Sequence, residues 1–117
     1  MNQRLYPPRE LDMLVTIYVE GLPFAMCMAE KASLSAMQIR LSAWSVSPYS
    51  IDEVEFTRET PVGVERHRIP VKVDKVLENR ARAVFREVPP KALTALRQLL
   101  YEEGDDARTP ETQAGTA

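Results

Sequence analysis

Lys31-Ala32-Ser33-Leu34-Ser35-Ala36-Met37-Gln38-Ile39-Arg40-Leu41 joins a short turn of small residues to a strand in which Met37, Ile39 and Leu41 alternate with Gln38 and Arg40. A period of two sends the apolar set to one face of a sheet and the polar set to the other. The Ser/Ala turn can aim backbone amides and hydroxyls at a ligand, and the strand behind it holds them in place. Fold and candidate site therefore meet in one stretch.

The same alternation recurs on both sides. Leu11 to Val19 puts Met13, Val15, Ile17 and Val19 on one face and Thr16, Tyr18 and Glu20 on the other, a half-buried strand. Gly21-Leu22-Pro23 marks a turn, and Leu22 to Ala29 reads as the returning second strand. Met37 to Ser42 is the third. A fourth is centred on Val54 and Phe56, and a turn follows at Thr60-Pro61-Val62-Gly63. Val64 to Val76 reads as a fifth strand, with Ile69, Val71 and Val73 facing in and Arg68, Lys72 and Asp74 facing water. Pro70 inside that run calls for an edge strand or a bulge. Arg80 to Val88 is the sixth, with Ala81, Ala83 and Phe85 set against Arg80, Arg82 and Arg86. After Pro89-Pro90 the period changes, and Ala92, Leu93, Leu96, Leu99 and Leu100 share a helical face that ends before Gly104. A helix of about 13 residues does not stand alone in water, so it must pack on the sheet. Short antiparallel strands followed by one helix give a mainly β fold, a six-stranded barrel or a sandwich.

A chain of 117 residues, 44% apolar and 27% charged, builds one core. We expect a flexible arm over residues 1–10, the folded unit over 11–103 and a disordered acidic tail over 104–117. Residues 102–117 hold five acids (Glu102, Glu103, Asp105, Asp106 and Glu111) and one base, Arg108, so the rest of the chain is mildly basic. That balance suits a small anionic ligand and is too weak for duplex nucleic acid. No apolar run is long enough to span a bilayer, and the N-terminus lacks a signal-peptide layout; a cytoplasmic location is the default expectation.

Several residues invite a functional reading and receive a plainer one. Cys27, the single cysteine, sits among apolar residues as a structural thiol. His67, the single histidine, reads as an exposed strand residue, and no cluster has metal-ligand spacing. Glu53 and Glu55 look like the wet face of an edge strand. No catalytic triad, phosphate loop or other enzymatic signature is present, so the chain is read as a non-enzyme without a cofactor. Met13, Met26, Met28 and Met37 are read as core filler. Trp44 and Tyr49, on a Ser-rich loop, either anchor a partner or plug one mouth of the barrel, with the plug favoured. Arg80, Arg82 and Arg86 form either a solvated edge or one side of an anionic pocket.

The Ser33 turn and its strand resemble the second signature of PilZ domains, the bacterial modules that read cyclic di-GMP. That signature is Asp or Asn, any residue, Ser, two of any residue, then Gly. Ser33 matches it, while Lys31 stands in the place of the acid or amide and Ala36 in that of the glycine. The resemblance covers roughly residues 4–101 and implies a six-stranded antiparallel barrel with a C-terminal helix. The family's first signature, two arginines four apart in the arm before the first strand, is met loosely by Arg4 and Arg9, which are five apart with Pro7 and Pro8 between them. The resemblance implies that Arg4, Arg9, Lys31, Ser33 and Ala36 contact cyclic di-GMP, the guanidinium groups forking onto phosphate and stacking on guanine. It implies a regulatory role through an unidentified protein partner in motility, pilus or exopolysaccharide control. Two alternatives stay open: a degenerate PilZ adaptor that binds protein only and, less favoured, a small barrel for single-stranded nucleic acid.

Overall fold

The computed structural model describes residues 7–41 and 47–102. Six strands follow in order: β1 (Arg9–Val19), β2 (Leu22–Ala32), β3 (Ala36–Arg40), β4 (Ile51–Thr60), β5 (Gly63–Leu77) and β6 (Arg80–Phe85). They close into an antiparallel barrel in the order β1-β2-β3-β6-β5-β4, with β4 pairing back onto β1. The helix α1 (Pro90–Arg97) follows and widens into a π-helical turn over Gln98–Glu102. The expected six strands and terminal helix are all present. β1 begins two residues earlier than the alternation alone gave, because Arg9 and Glu10 pair with Ala32 and Lys31.

Alternation builds the core. Val15 and Ile17 from β1, Met37 and Ile39 from β3, Val54 and Phe56 from β4, and Ile69, Val71 and Val73 from β5 point inward. Ala81 and Ala83 on β6 and Ala29 on β2 are small, which leaves room in the barrel for the larger side chains opposite. Ala92, Ala95, Leu96 and Leu100 carry the buried face of the helical segment into the same cluster. The β1–β2 hairpin turns through Glu20 (φ 54°) and Gly21 (φ 80°), the paired left-handed conformation that matches the twist of its strands.

Closure corrects several expectations. A closed barrel has no edge, so neither Pro70 nor the Glu53/Glu55 face lies on one. Pro70 is the last β5 residue paired with β4, and Val71 is the first paired with β6; the proline sits at the hand-over, where its carbonyl accepts from the Arg86 N–H at 2.8 Å. Glu53 and Glu55 belong to a polar cluster on the outer wall. Arg68 lies 3.9 Å over the Tyr18 ring and donates to the Tyr18 hydroxyl, which itself donates to Glu55. Tyr18, expected on the wet face, is buried beneath that guanidinium.

His67 is 8% exposed rather than an exposed strand residue. Its ring stacks on Phe56 at 5.2 Å and bonds to Glu65 at 3.1 Å. Met37 is core, but Met26 is 63% exposed on the outer face of β2 and fills nothing. Tyr49 is also exposed and does not plug the barrel, whereas Trp44 lies outside the described residues. Cys27 is buried as expected, and desolvation pushes its thiol up to about 11.

Candidate functional site

The Ser33 turn forms one lip of a cavity of about 730 Å³, a size in the ordinary range for small-molecule pockets. Lys31, Ser33 and Ala36 all line it, together with Pro8 of the arm. The turn is closed by Ser33 N–H donating to the Ala36 carbonyl at 2.9 Å. The Ser33 hydroxyl accepts from the Ser35 N–H at 3.1 Å and lies 3.2 Å from the Ser35 hydroxyl. Part of the serine chemistry is thus spent locally. A hydroxyl with one donor and two acceptor positions still has capacity for a ligand.

Ala36 pairs with Val84 as the first residue of β3. Positive φ among the described non-glycine residues is confined to Glu20 and Glu78, so no backbone conformation at Ala36 demands glycine. Lys31 is exposed between Glu10 of β1 and Gln38 of β3 and has no ion-pair partner among the described residues.

Of the two arm arginines, Arg4 lies outside the described residues. Arg9 starts β1, and its guanidinium lies 5.7 Å from the centre of the Tyr101 ring. The Tyr101 hydroxyl donates to the Pro7 carbonyl at 2.7 Å, which ties the end of the helical segment to the residue before Pro8. Burial raises the Tyr101 phenol above its ordinary value, and the Arg9 charge opposes that.

A second part of the lining comes from the β5–β6 hairpin, through Lys75, Arg80 and Arg82 with Glu78. Arg80 and Arg82 line this cavity, while Arg86 is not among its lining residues. Arg80 is held in place. Its Nε donates to Glu30 Oε1 at 2.8 Å, while Arg40 Nε donates to Glu30 Oε2 at 2.6 Å and Gln38 reaches the same carboxylate.

The Arg80 hydrogen bond, above all, holds the Glu30 carboxyl below the usual carboxylate range, with Arg40 adding to it and partial desolvation opposing. A depressed folded value means that this cluster stabilises the fold above the ordinary glutamate pKa of about 4.3 and loses that contribution as pH falls through the lower folded value. Urea midpoints at pH 7 and pH 3 should therefore drop further for the wild type than for Glu30→Gln. Equal drops would show that the cluster is not coupled to folding.

Sequence reasoning passed over Glu30 and Lys75. Each lies at an irregularity, one between the β2–β3 pairs Ala29 and Lys31, the other between the β5–β6 pairs Val73 and Lys75. A second cavity, of about 810 Å³, lies between the β4–β5 hairpin and the first turns of α1; His67, Glu65 and Arg58 line it with Lys91.

No family model and no curated protein matches the chain. Solved structures do. The PilZ domain of CeSA from a cellulose-synthesizing bacterium superposes with a TM-score of 0.59 at 12% identity, over 80% of this chain and 94% of that one. The Bacillus subtilis inhibitor of motility, MotI/DgrA, superposes with a TM-score of 0.64 at 11% identity, over 91% of this chain and 53% of that one. This chain thus spans about half the length of the motility inhibitor. At such identities the likeness is one of fold: the chain is a PilZ-type barrel with a C-terminal helix.

Proposed function

We propose that this barrel is a non-catalytic regulatory module of the PilZ kind. In this reading it binds cyclic di-GMP in the cavity beside the Ser33 turn and passes the signal to a partner protein in motility, pilus or exopolysaccharide control. The observation that carries the reading is that Lys31, Ser33 and Ala36, which stand at the three defined positions of the family signature with Ser33 matching it, line one cavity that also carries Lys75, Arg80 and Arg82. A dinucleotide with two phosphates needs such a concentration of donors and positive charge. Arg4 is the arm cation proposed to close over the ligand, with Pro8 at the cavity lip putting the arm within reach. Arg9 is proposed to reach the ligand from its fixed place at the start of β1. Ordering the arm would alter the surface offered to a partner, a ligand-coupled order transition.

The test is a calorimetric titration of the full chain with cyclic di-GMP. Saturable low-micromolar binding that Ser33→Ala weakens about tenfold is expected, the loss of one hydrogen bond to a charged ligand. Absence of heat at high ligand concentration would sink the receptor reading.

One observation favours a second reading, the protein-only adaptor. The outer face of β1 and β2 carries Leu14, Phe24 and Met26, all exposed, with Leu14 directly opposite Met28. An apolar strip on a barrel wall is a feature of interaction surfaces. A chain that ignores the dinucleotide yet loses its partner on Met26→Asp would fit that alternative.

A further inference from the structure

Neither family signature accounts for the cations that the β5–β6 hairpin brings to the cavity. Lys75 and Arg82 stand opposite one another in the β5–β6 pairing, and Arg80 follows on the same hairpin, opposite Leu77. All three line the cavity that the Ser33 turn also lines, and Arg82 pairs with Gln38 of β3, the strand that follows that turn. Lys75 has no ion-pair partner among the described residues. Arg82 has only a long contact with Asp74 at 3.9 Å, and both of those side chains are largely exposed. Arg80 is different: Glu30 grips one edge of its guanidinium through Nε at 2.8 Å, which orients the group while leaving its two terminal nitrogens to donate elsewhere. The irregularity between Val73 and Lys75 matters as well. Regular alternation would send Lys75 to the inner face with Val71 and Val73, but Lys75 is exposed and lines the cavity instead.

We propose that Lys75, Arg80 and Arg82 form a phosphate-binding wall on the β5–β6 hairpin that takes the anionic groups of a phosphate-bearing ligand. For the identity of that ligand, a cyclic dinucleotide, the proposal rests on the reading above. The wall adds phosphate recognition on the rigid barrel to that proposed for the arm. The backbone that carries these cations is already paired without a ligand, so less ordering entropy is lost on binding than when an arm folds over. Arg80 is the centre of the wall because Glu30 fixes its plane.

The experiment uses two probes on the full chain. Inorganic pyrophosphate, followed by amide chemical shifts, tests the wall alone; cyclic di-GMP, followed by calorimetry, tests the ligand. Pyrophosphate is expected to shift the amides of Lys75, Arg80 and Arg82 saturably, with affinity falling about tenfold in Arg80→Ala and in Lys75→Ala. Lys72→Ala removes the same unit of charge from the same strand outside the cavity and is expected to change affinity by less than about twofold. Unaltered pyrophosphate affinity in Arg80→Ala and Lys75→Ala, or an equal loss in Lys72→Ala, overturns the wall. Pyrophosphate binding with that residue pattern but no cyclic di-GMP binding upholds the wall and removes the dinucleotide reading.

Discussion

Phe56→Ala is expected to cost about 3–5 kcal/mol, the largest loss from any single substitution considered for this fold. Phe56 is fully buried and is among the largest side chains sealed in the barrel. It lies opposite His67 on β5, and the two rings stack at 5.2 Å. Truncation removes the transfer energy of a phenyl ring and leaves a void that paired strands cannot close by sliding. It also strips one face of a buried imidazole, whose remaining partner is the exposed Glu65. Small domains are stable by roughly 5–15 kcal/mol, so the variant sits near the limit of folding. With a urea slope of about 1.5 kcal/mol per molar, the midpoint should fall by about 2–3 M with the slope unchanged. A drop below about 0.5 M would mean that the hairpin end of the barrel repacks freely and that Phe56 and His67 are not a fixed pair.

That pair also marks where sequence reading stopped short. Ile69, Val71 and Val73 were legible as the inner face of β5, and one further step of two residues back reaches His67. The same periodicity that identified the strand therefore places the histidine inside; reading its charged neighbours Arg66 and Arg68 as its surroundings hid this. Tyr18 was hidden for a different reason. Its burial comes from a guanidinium fifty residues away that folds over the ring, and no local pattern encodes that approach. The edge assigned to Glu53, Glu55 and Pro70 failed because closure is a property of all six strands together.

The candidate site divides along the same line. The Ser33 turn was legible because its chemistry is contiguous in sequence: small residues, hydroxyls and a strand behind them. The part lined by the β5–β6 hairpin was not. Lys75 comes to the cavity by an irregularity in pairing, and Glu30 meets Arg80 only because β2 and β6 flank β3 in the barrel order. Arg80 and Arg82 could be read as a row on one strand face, yet whether that row faced open water or a cavity depended on what stood opposite. Arg80 and Arg82 share their cavity with the turn at Lys31–Ala36.

Lys31 is where the two walls can be weighed against each other. It occupies the position at which the family signature has an acid or amide, and its ammonium adds positive charge to a cavity already lined by Lys75, Arg80 and Arg82. If that ammonium contacts ligand phosphate, Lys31→Glu replaces a charge-assisted bond with repulsion. Cyclic di-GMP binding should then weaken by about a hundredfold or more. Lys31→Asn removes the charge but supplies the amide of the signature, an acceptor suited to guanine N–H groups. On the phosphate reading it should still weaken binding about tenfold, because one charge-assisted bond is gone while those to Lys75, Arg80 and Arg82 remain. Both variants alter an exposed side chain and should leave thermal stability within about 0.5 kcal/mol of the wild type. The order wild type, then Asn, then Glu identifies Lys31 as a working phosphate contact. Tighter binding in Lys31→Asn than in the wild type would reverse the assignment: the position calls for an acceptor, and the lysine weakens a site that the Ser33 turn still outlines.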